Sequence, residues 1–139
     1  MGKNIIALII LLLAISPFAN AENVYYCATE LNVGIEKNKK TGLWQSILFP
    51  PQRYTIKFNS DYSKLEGIKK DFIYNCYRPY PSVPDTLNLL VCYDTFNAGT
   101  LFQFDKKTLR YLYAFLGTTG YLENTNDTNN MEGGTCQKF

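Results

Sequence analysis

The segment Leu87 to Leu116 reads LNLLVCYDTFNAGTLFQFDKKTLRYLYAFL. It holds three apolar, aromatic-rich runs separated by two breaks, and those runs decide the fold. Leu87 to Asp94 carries Leu, Val, Cys and Tyr at strand-favouring density. Thr95-Phe96-Asn97-Ala98-Gly99 follows, with the Asn and Gly that tolerate positive φ in a turn. In the next run Leu101, Gln103 and Asp105 alternate with Phe102 and Phe104, the two-residue period of a strand. Asp105-Lys106-Lys107-Thr108 is short and polar, as a hairpin connection requires. From Leu109 to Phe115, Leu109, Tyr111 and Tyr113 face one way and Arg110, Leu112 and Ala114 the other. A buried helix over Arg110 to Leu116 competes with this reading. The aromatic content and the close breaks favour three antiparallel strands in a meander.

Working outward, the amino terminus is a separate matter. Lys3 precedes an unbroken apolar run from Ile5 to Ile15, Ser16-Pro17 ends it, and Ala19-Asn20-Ala21 offers small residues to a signal peptidase. This pattern predicts a secretory signal peptide over residues 1–21 and a mature domain over 22–139. The apolar run falls short of the roughly 20 residues that span a bilayer, so an anchor is the weaker reading. No Cys follows it directly, which argues against a lipoprotein.

Cleavage after Ala21 would remove one of 14 basic residues and none of the 12 acids, leaving a net charge of about +1. Such a balance produces no long-range field and argues against nucleic acid as a partner. One domain is the default for 139 residues.

The cysteines are Cys27, Cys76, Cys92 and Cys136. In an exported chain two disulfides are the first reading, with three possible pairings. Cys76–Cys92 with Cys27–Cys136 is the expected one. The first bond would tie neighbouring strands across the loop Arg78 to Asp85, the second the two ends of the domain. Chain entropy assigns them ~3 and ~4.7 kcal/mol. A zinc site would use the same residues, but no Cys-x-x-Cys pair is present.

The remaining segments read as further strands. Val24 to Glu30 alternates, and Arg53 to Asn59 does so most cleanly, with Tyr54, Ile56 and Phe58 toward the core. Asn32 to Gly42 reads as a solvated loop; its lysines Lys37, Lys39 and Lys40 beside Glu36 make no convincing anionic-surface contact. Pro50-Pro51 ends the segment Gln45 to Phe49. Lys64 to Lys70 stays open between strand and a short helix, because Ser63 and Glu66 resemble a capping box while Gly67 weakens it. Phe72 to Tyr77 reads as strand. Gly117 to Gly120 turns the chain, and Tyr121 to Asn130 reads as a polar surface loop, with a glycosylation-type acceptor at Asn126-Asp127-Thr128. Glu132 to Phe139 is the expected last strand, and Gly133-Gly134 would form a bulge or a close backbone approach. The expected fold is all-β: one small antiparallel barrel or sandwich of seven to eight strands.

The chemistry available is narrow. The sequence has no His, which removes Ser-His and Cys-His nucleophiles and most zinc, copper and haem arrangements. No phosphate-binding Gly loop is present, and no cofactor is expected. Asp85, Asp94 and Asp105 flank the central strands and could form a carboxylate pair of the kind hydrolases use, but Asp near a turn serves backbone hydrogen bonds. The aromatic set is the sharper signal: 11 Tyr, 9 Phe and one Trp. Most would fill a β core. Tyr25, Trp44, Tyr77, Tyr80, Tyr93 and Tyr121 lie at expected strand ends or in loops, where they would contact a small apolar ligand or a partner protein.

Gly42-Leu43-Trp44 resembles the Gly-x-Trp of lipocalin-like and avidin-like barrels, although it stands after the first strand and the other lipocalin motifs are missing. The signal-like start, Tyr25-Tyr26-Cys27, Arg53 to Phe58, the Phe102 to Tyr113 hairpin and the ending Gly134-Thr135-Cys136-Gln137-Lys138-Phe139 together resemble short exported bacterial proteins without an assigned activity. That resemblance implies a periplasmic or secreted β domain and no function. The readings are then a non-enzymatic binding domain, a passive envelope component without ligand, or, more distantly, a carboxylate-based hydrolase.

Overall fold

The computed structural model describes residues 23–84, 88–94, 99–116 and 124–139. The expected signal peptide, Asp85, Tyr121 and the Gly117 to Gly120 turn lie outside these residues.

Nine strands form in chain order: β1 (Asn23–Lys37), β2 (Trp44–Leu48), β3 (Arg53–Phe58), β4 (Lys64–Glu66), β5 (Ile73–Tyr77), β6 (Leu89–Asp94), β7 (Thr100–Asp105), β8 (Arg110–Phe115) and β9 (Asn129–Lys138). Their order around the sheet is β1-β3-β4-β5-β6-β7-β8-β9, and β9 returns to pair with β1. The result is a closed eight-stranded antiparallel barrel, with β2 added outside the ring along β1. Closure leaves the ring without unpaired edges.

The central meander forms as its alternation requires. Phe102 and Phe104 on β7 and Tyr111 and Tyr113 on β8 turn inward and are buried, while Leu101 and Leu112 face outward. No helix forms over Arg110 to Leu116; β8 pairs with β7 from Thr100↔Phe115 to Asp105↔Arg110. The Asp105 carboxylate accepts from the backbone N–H groups of Lys107 and Thr108 at 2.8 Å each and shapes the connecting turn. On β3, Ile56 and Phe58 are fully buried and Tyr54 half-buried, as expected. Both disulfides form in the expected pairing, Cys27–Cys136 across the β1–β9 seam and Cys76–Cys92 between β5 and β6.

Two expectations on the chain's course are corrected. Asn32 to Lys37 is not a loop but the second half of β1. Val33 to Ile35 finds partners on both sides, β2 and β9, and Glu36 and Lys37 pair with β2, which outweighs the polar composition. The last strand begins at Asn129, three residues earlier than its Gly pair suggests. The open segment Lys64 to Lys70 contains a three-residue strand and no helix. Gly67 sits at φ +100°, and a Cβ there would collide with the Thr55 carbonyl oxygen.

The barrel centre is filled. Tyr25, Phe58 and Phe104 pack with ring centroids 4.9 to 6.0 Å apart, and Phe102 stacks on Tyr111 at 5.5 Å. Ile56, Leu65, Leu90 and the two disulfides complete the core. Each fully buried aliphatic or aromatic side chain contributes about 1.5–3 kcal/mol by leaving water, so this packing is the main support of the fold.

A candidate ligand-binding mouth around Glu132

The site arises where β1 changes partners. Its first half pairs with β3 as far as Ala28↔Arg53, and its second half with β2 from Val33↔Leu48 onward. In between, the ladder to β9 slips: Thr29 opposes Gly134 and Leu31 opposes Gly133, leaving Glu30 as the extra residue of a bulge. Gly134 is needed there, because a Cβ would collide with the Ala28 carbonyl oxygen. The chain around Pro50 bridges the gap. The N–H of Thr29 donates to the Gln52 carbonyl at 3.0 Å, and the N–H of Phe49 donates to the Asn32 carbonyl at 2.9 Å. Two prolines suit this role, since they withhold N–H groups that no strand would satisfy.

Beneath this bridge one inward row of the barrel carries Asn32, Glu132, Tyr113, Phe102, Cys92 and Cys76, each paired to the next in register. Glu132 is 1 % exposed, and neither carboxyl oxygen has a hydrogen-bond partner. The Tyr54 hydroxyl is close enough to favour the ionised form, yet no chain donor reaches hydrogen-bond geometry at either oxygen. Burial dominates and pushes the Glu132 carboxyl above the usual carboxylate range. Its neighbours respond in kind. The Tyr113 phenol is raised to about 12 by burial and then by Glu132, and the Tyr54 phenol is raised by the same two causes. Tyr111, also raised to about 12, shares a 2.9 Å hydrogen bond with Thr29.

A buried acceptor without a donor costs about 1–3 kcal/mol, more when charged, so the native arrangement asks what completes it. The answer lies above the carboxyl. A solvent-open cavity of about 270 Å³ reaches Glu132 between Phe49, Tyr54, Tyr113 and Phe115. Asn32 and Asn130 stand at its rim, joined by a 3.2 Å hydrogen bond from the Asn130 amide, and the Asn32 amide donates to the Pro50 carbonyl at 3.2 Å. Lys69 leans over the rim with its ammonium 4.1 Å from the Phe115 ring centroid. Volume alone does not select this cavity. A recess against Phe139 measures about 340 Å³ and one against Lys70 and Asp71 about 450 Å³. Their linings carry no buried unpartnered polar atom, whereas the Glu132 cavity carries two.

The aromatic residues singled out from the sequence do not converge here. Tyr25 is a core residue, 2 % exposed, with its hydroxyl bonded to that of Tyr62 at 2.8 Å. It stands inside the first turn of the alternation of β1, not at a loop. Trp44 opens β2 and donates its indole N–H to Asn124 at 3.2 Å. Tyr77 and Tyr93 pair edge-to-face on the outer wall of β5 and β6, and Tyr80 is exposed in the Pro-rich loop. Among the acids, Asp105 serves its turn. Asp94 is not at a solvated turn but inside the barrel, 4 % exposed at the end of β6. Tyr113 feels both Asp94 and Glu132, but Glu132 is the one carboxyl among the described residues that lines the mouth. The described residues contain no cluster of metal-ligating side chains and no helix long and apolar enough to cross a membrane.

Sequence reasoning passed over Glu132 because it opens a Gly-rich strand. The signal that would have found it is period two: Cys136 must face inward to bond Cys27, which puts Gly134 and Glu132 inside as well. No protein-family model matches the chain, and no curated protein or solved structure is similar enough to match it.

Proposed function

We propose that the chain is an exported, non-enzymatic β-barrel that holds a small ligand in the mouth above Glu132. One observation carries this reading: a fully buried carboxyl with two unpartnered oxygens at the floor of an open, aromatic-walled cavity. The two disulfides support export. The filled centre moves the ligand from the interior of the barrel to one end of it. The ligand has a small apolar or ring-shaped body against Phe49, Tyr54, Tyr113 and Phe115 and a polar end toward Glu132. Glu132 is the one carboxyl among the described residues that lines the mouth, and in a chain without His this favours binding over acid–base hydrolysis.

Native mass spectrometry of protein purified from its own host tests the reading. A small-molecule adduct that disappears in Glu132→Gln is expected. A bare monomer mass, together with no shift in melting temperature across a panel of small amines, sugars, aromatics and lipids, refutes it.

A second reading, a docked protein partner, has its own observation. Outward residues Tyr93, Leu101, Ala114, Met131 and Val33 follow one another in register across β6, β7, β8, β9 and β1. Tyr93, Leu101 and Met131 are exposed, and Leu112 adds to the same wall. Cross-linking in host extracts, with Leu101→Lys as control, separates this contact from ligand binding.

A further inference from the structure

We propose that the ligand of the Glu132 mouth is an organic cation with N–H donors, and that a guanidinium group is the best match to the two unpartnered carboxyl oxygens. The proposal rests on the ligand-binding reading above and adds its chemical class.

Once ionised, the floor of the site supplies acceptors only. Glu132 Oε1 and Oε2 are buried, no chain group, the nearby Tyr54 hydroxyl included, reaches them in hydrogen-bond geometry, and an ionised carboxylate can do nothing but accept. A planar fork of N–H groups satisfies both oxygens at once, which a hydroxyl or a single amide cannot. The walls point the same way. Phe49, Tyr54, Tyr113 and Phe115 present aromatic surface around the path to Glu132, and ring faces attract cations. The chain already uses one of these rings in this manner: the Lys69 ammonium lies 4.1 Å from the Phe115 centroid and 6.0 Å from that of Phe72. Lys69 therefore sits at the rim on the aromatic rings, and Glu132 keeps its two oxygens unpartnered below. At about 30 Å³ per water, a cavity of about 270 Å³ holds roughly nine water volumes, the size of a guanidinium on a short alkyl chain.

Binding is coupled to a proton. The groups that face Glu132 are Tyr54 from β3, Tyr111 and Tyr113 from β8, with Tyr74 and Asp94 beyond Tyr113 and Glu30 beside Tyr111. Lys69 shares the cavity. Burial keeps the phenols protonated throughout the neutral range. Glu132, whose carboxyl holds its proton above the usual range, gives that proton up when the cation arrives. Affinity then rises with pH, up to about tenfold per unit, until the empty site is itself ionised.

Isothermal titration of the mature protein with butylguanidine and its neutral isostere butylurea tests the class, with pentanoate as the anionic control. Butylguanidine is expected to bind at least tenfold more tightly than butylurea, with Glu132→Gln abolishing the difference. Repeating the titration with wild-type protein in two buffers of different ionisation enthalpy, in steps upward from the usual carboxylate range to the neutral range, is expected to reveal proton release within that window, a readout that does not depend on any variant folding. Equal binding of the urea, preference for pentanoate, undiminished binding by Glu132→Gln, or no proton release overturns the cation while leaving a ligand site in place. No binding of butylguanidine, with a different molecule recovered from the host protein, does the same. No binding by any of the three, with a bare mass from the host, overturns the ligand-binding reading as well.

Discussion

Replacing Glu132 by Gln should make the empty protein more stable at neutral pH, although it alters a fully buried residue. The two side chains have nearly the same shape, so the comparison isolates charge. A carboxyl whose folded pKa lies above its unfolded value binds its proton more tightly when folded. Its contribution is fully present below the unfolded value, near 4.5, and is lost as pH rises through the folded one. The loss approaches 1.4 kcal/mol for about each unit by which burial has raised the carboxyl. Gln cannot ionise and escapes it. The variant and wild type should therefore match near pH 4 and separate as pH rises, with a slope no steeper than about 1.4 kcal/mol per unit, then run parallel. For a domain of this length each 1 kcal/mol moves the melting temperature by roughly 4 °C. Other titrations fall elsewhere. Asp61 and Asp105, both lowered by hydrogen bonds to their own turns, contribute stability above about pH 4 that is lost on acidification. Tyr111 and Tyr113, raised to about 12, lose theirs only above about pH 10. Thermal denaturation of both proteins by circular dichroism between pH 4 and 8.5, without added ligand, is the assay. Parallel curves, or a Gln variant that is less stable at pH 7.5, would refute the reasoning, because either result means the carboxylate is satisfied from within the chain.

Two further perturbations probe the frame that holds the site. Replacing Cys27 and Cys136 together by Ala should cost more than replacing Cys76 and Cys92, because the first bond closes a separation of 109 residues and the second one of 16; the chain-entropy values are ~4.7 and ~3 kcal/mol, and urea unfolding monitored by Trp44 fluorescence reads the difference. Gly134→Ala should destabilise by about 2 kcal/mol or more and loosen the β1–β9 seam, because its Cβ meets the Ala28 carbonyl. Gly133→Ala, where the nearest atom would lie at 3.5 Å, should stay within about 1 kcal/mol of wild type, so the pair measured side by side distinguishes close approach from general strand propensity.

The fold was largely readable from the sequence, and the site was not. Alternation over Arg53 to Phe58 put Ile56 and Phe58 toward the core, and over Leu101 to Tyr113 it set Phe102 and Phe104, and Tyr111 and Tyr113, on one face each, which closure makes the inner one, because a two-residue period maps directly onto the two faces of a strand. The sulfur pairing followed from strand order at the seam and across the Pro-rich loop. What could not be read was tertiary. Asn32 to Lys37 looks like a loop by composition and becomes strand because β2 and β9 flank it. Tyr25 looked like a contact residue and is core because β1 starts at Asn23, which puts it two residues inside the barrel wall. Glu132 depends on closure itself. Only when β9 meets β1, with the register slip at Glu30, does Glu132 come to lie inside the wall beside the cavity, above the filled aromatic centre.

A crystal structure of the protein purified from its own host at pH 7 tests the central claim most directly. Electron density for a small molecule within hydrogen-bond reach of Glu132 Oε1 and Oε2, between Tyr54 and Tyr113, is the expected result. Both oxygens satisfied by the chain's own groups, or by ordered water alone, would contradict it.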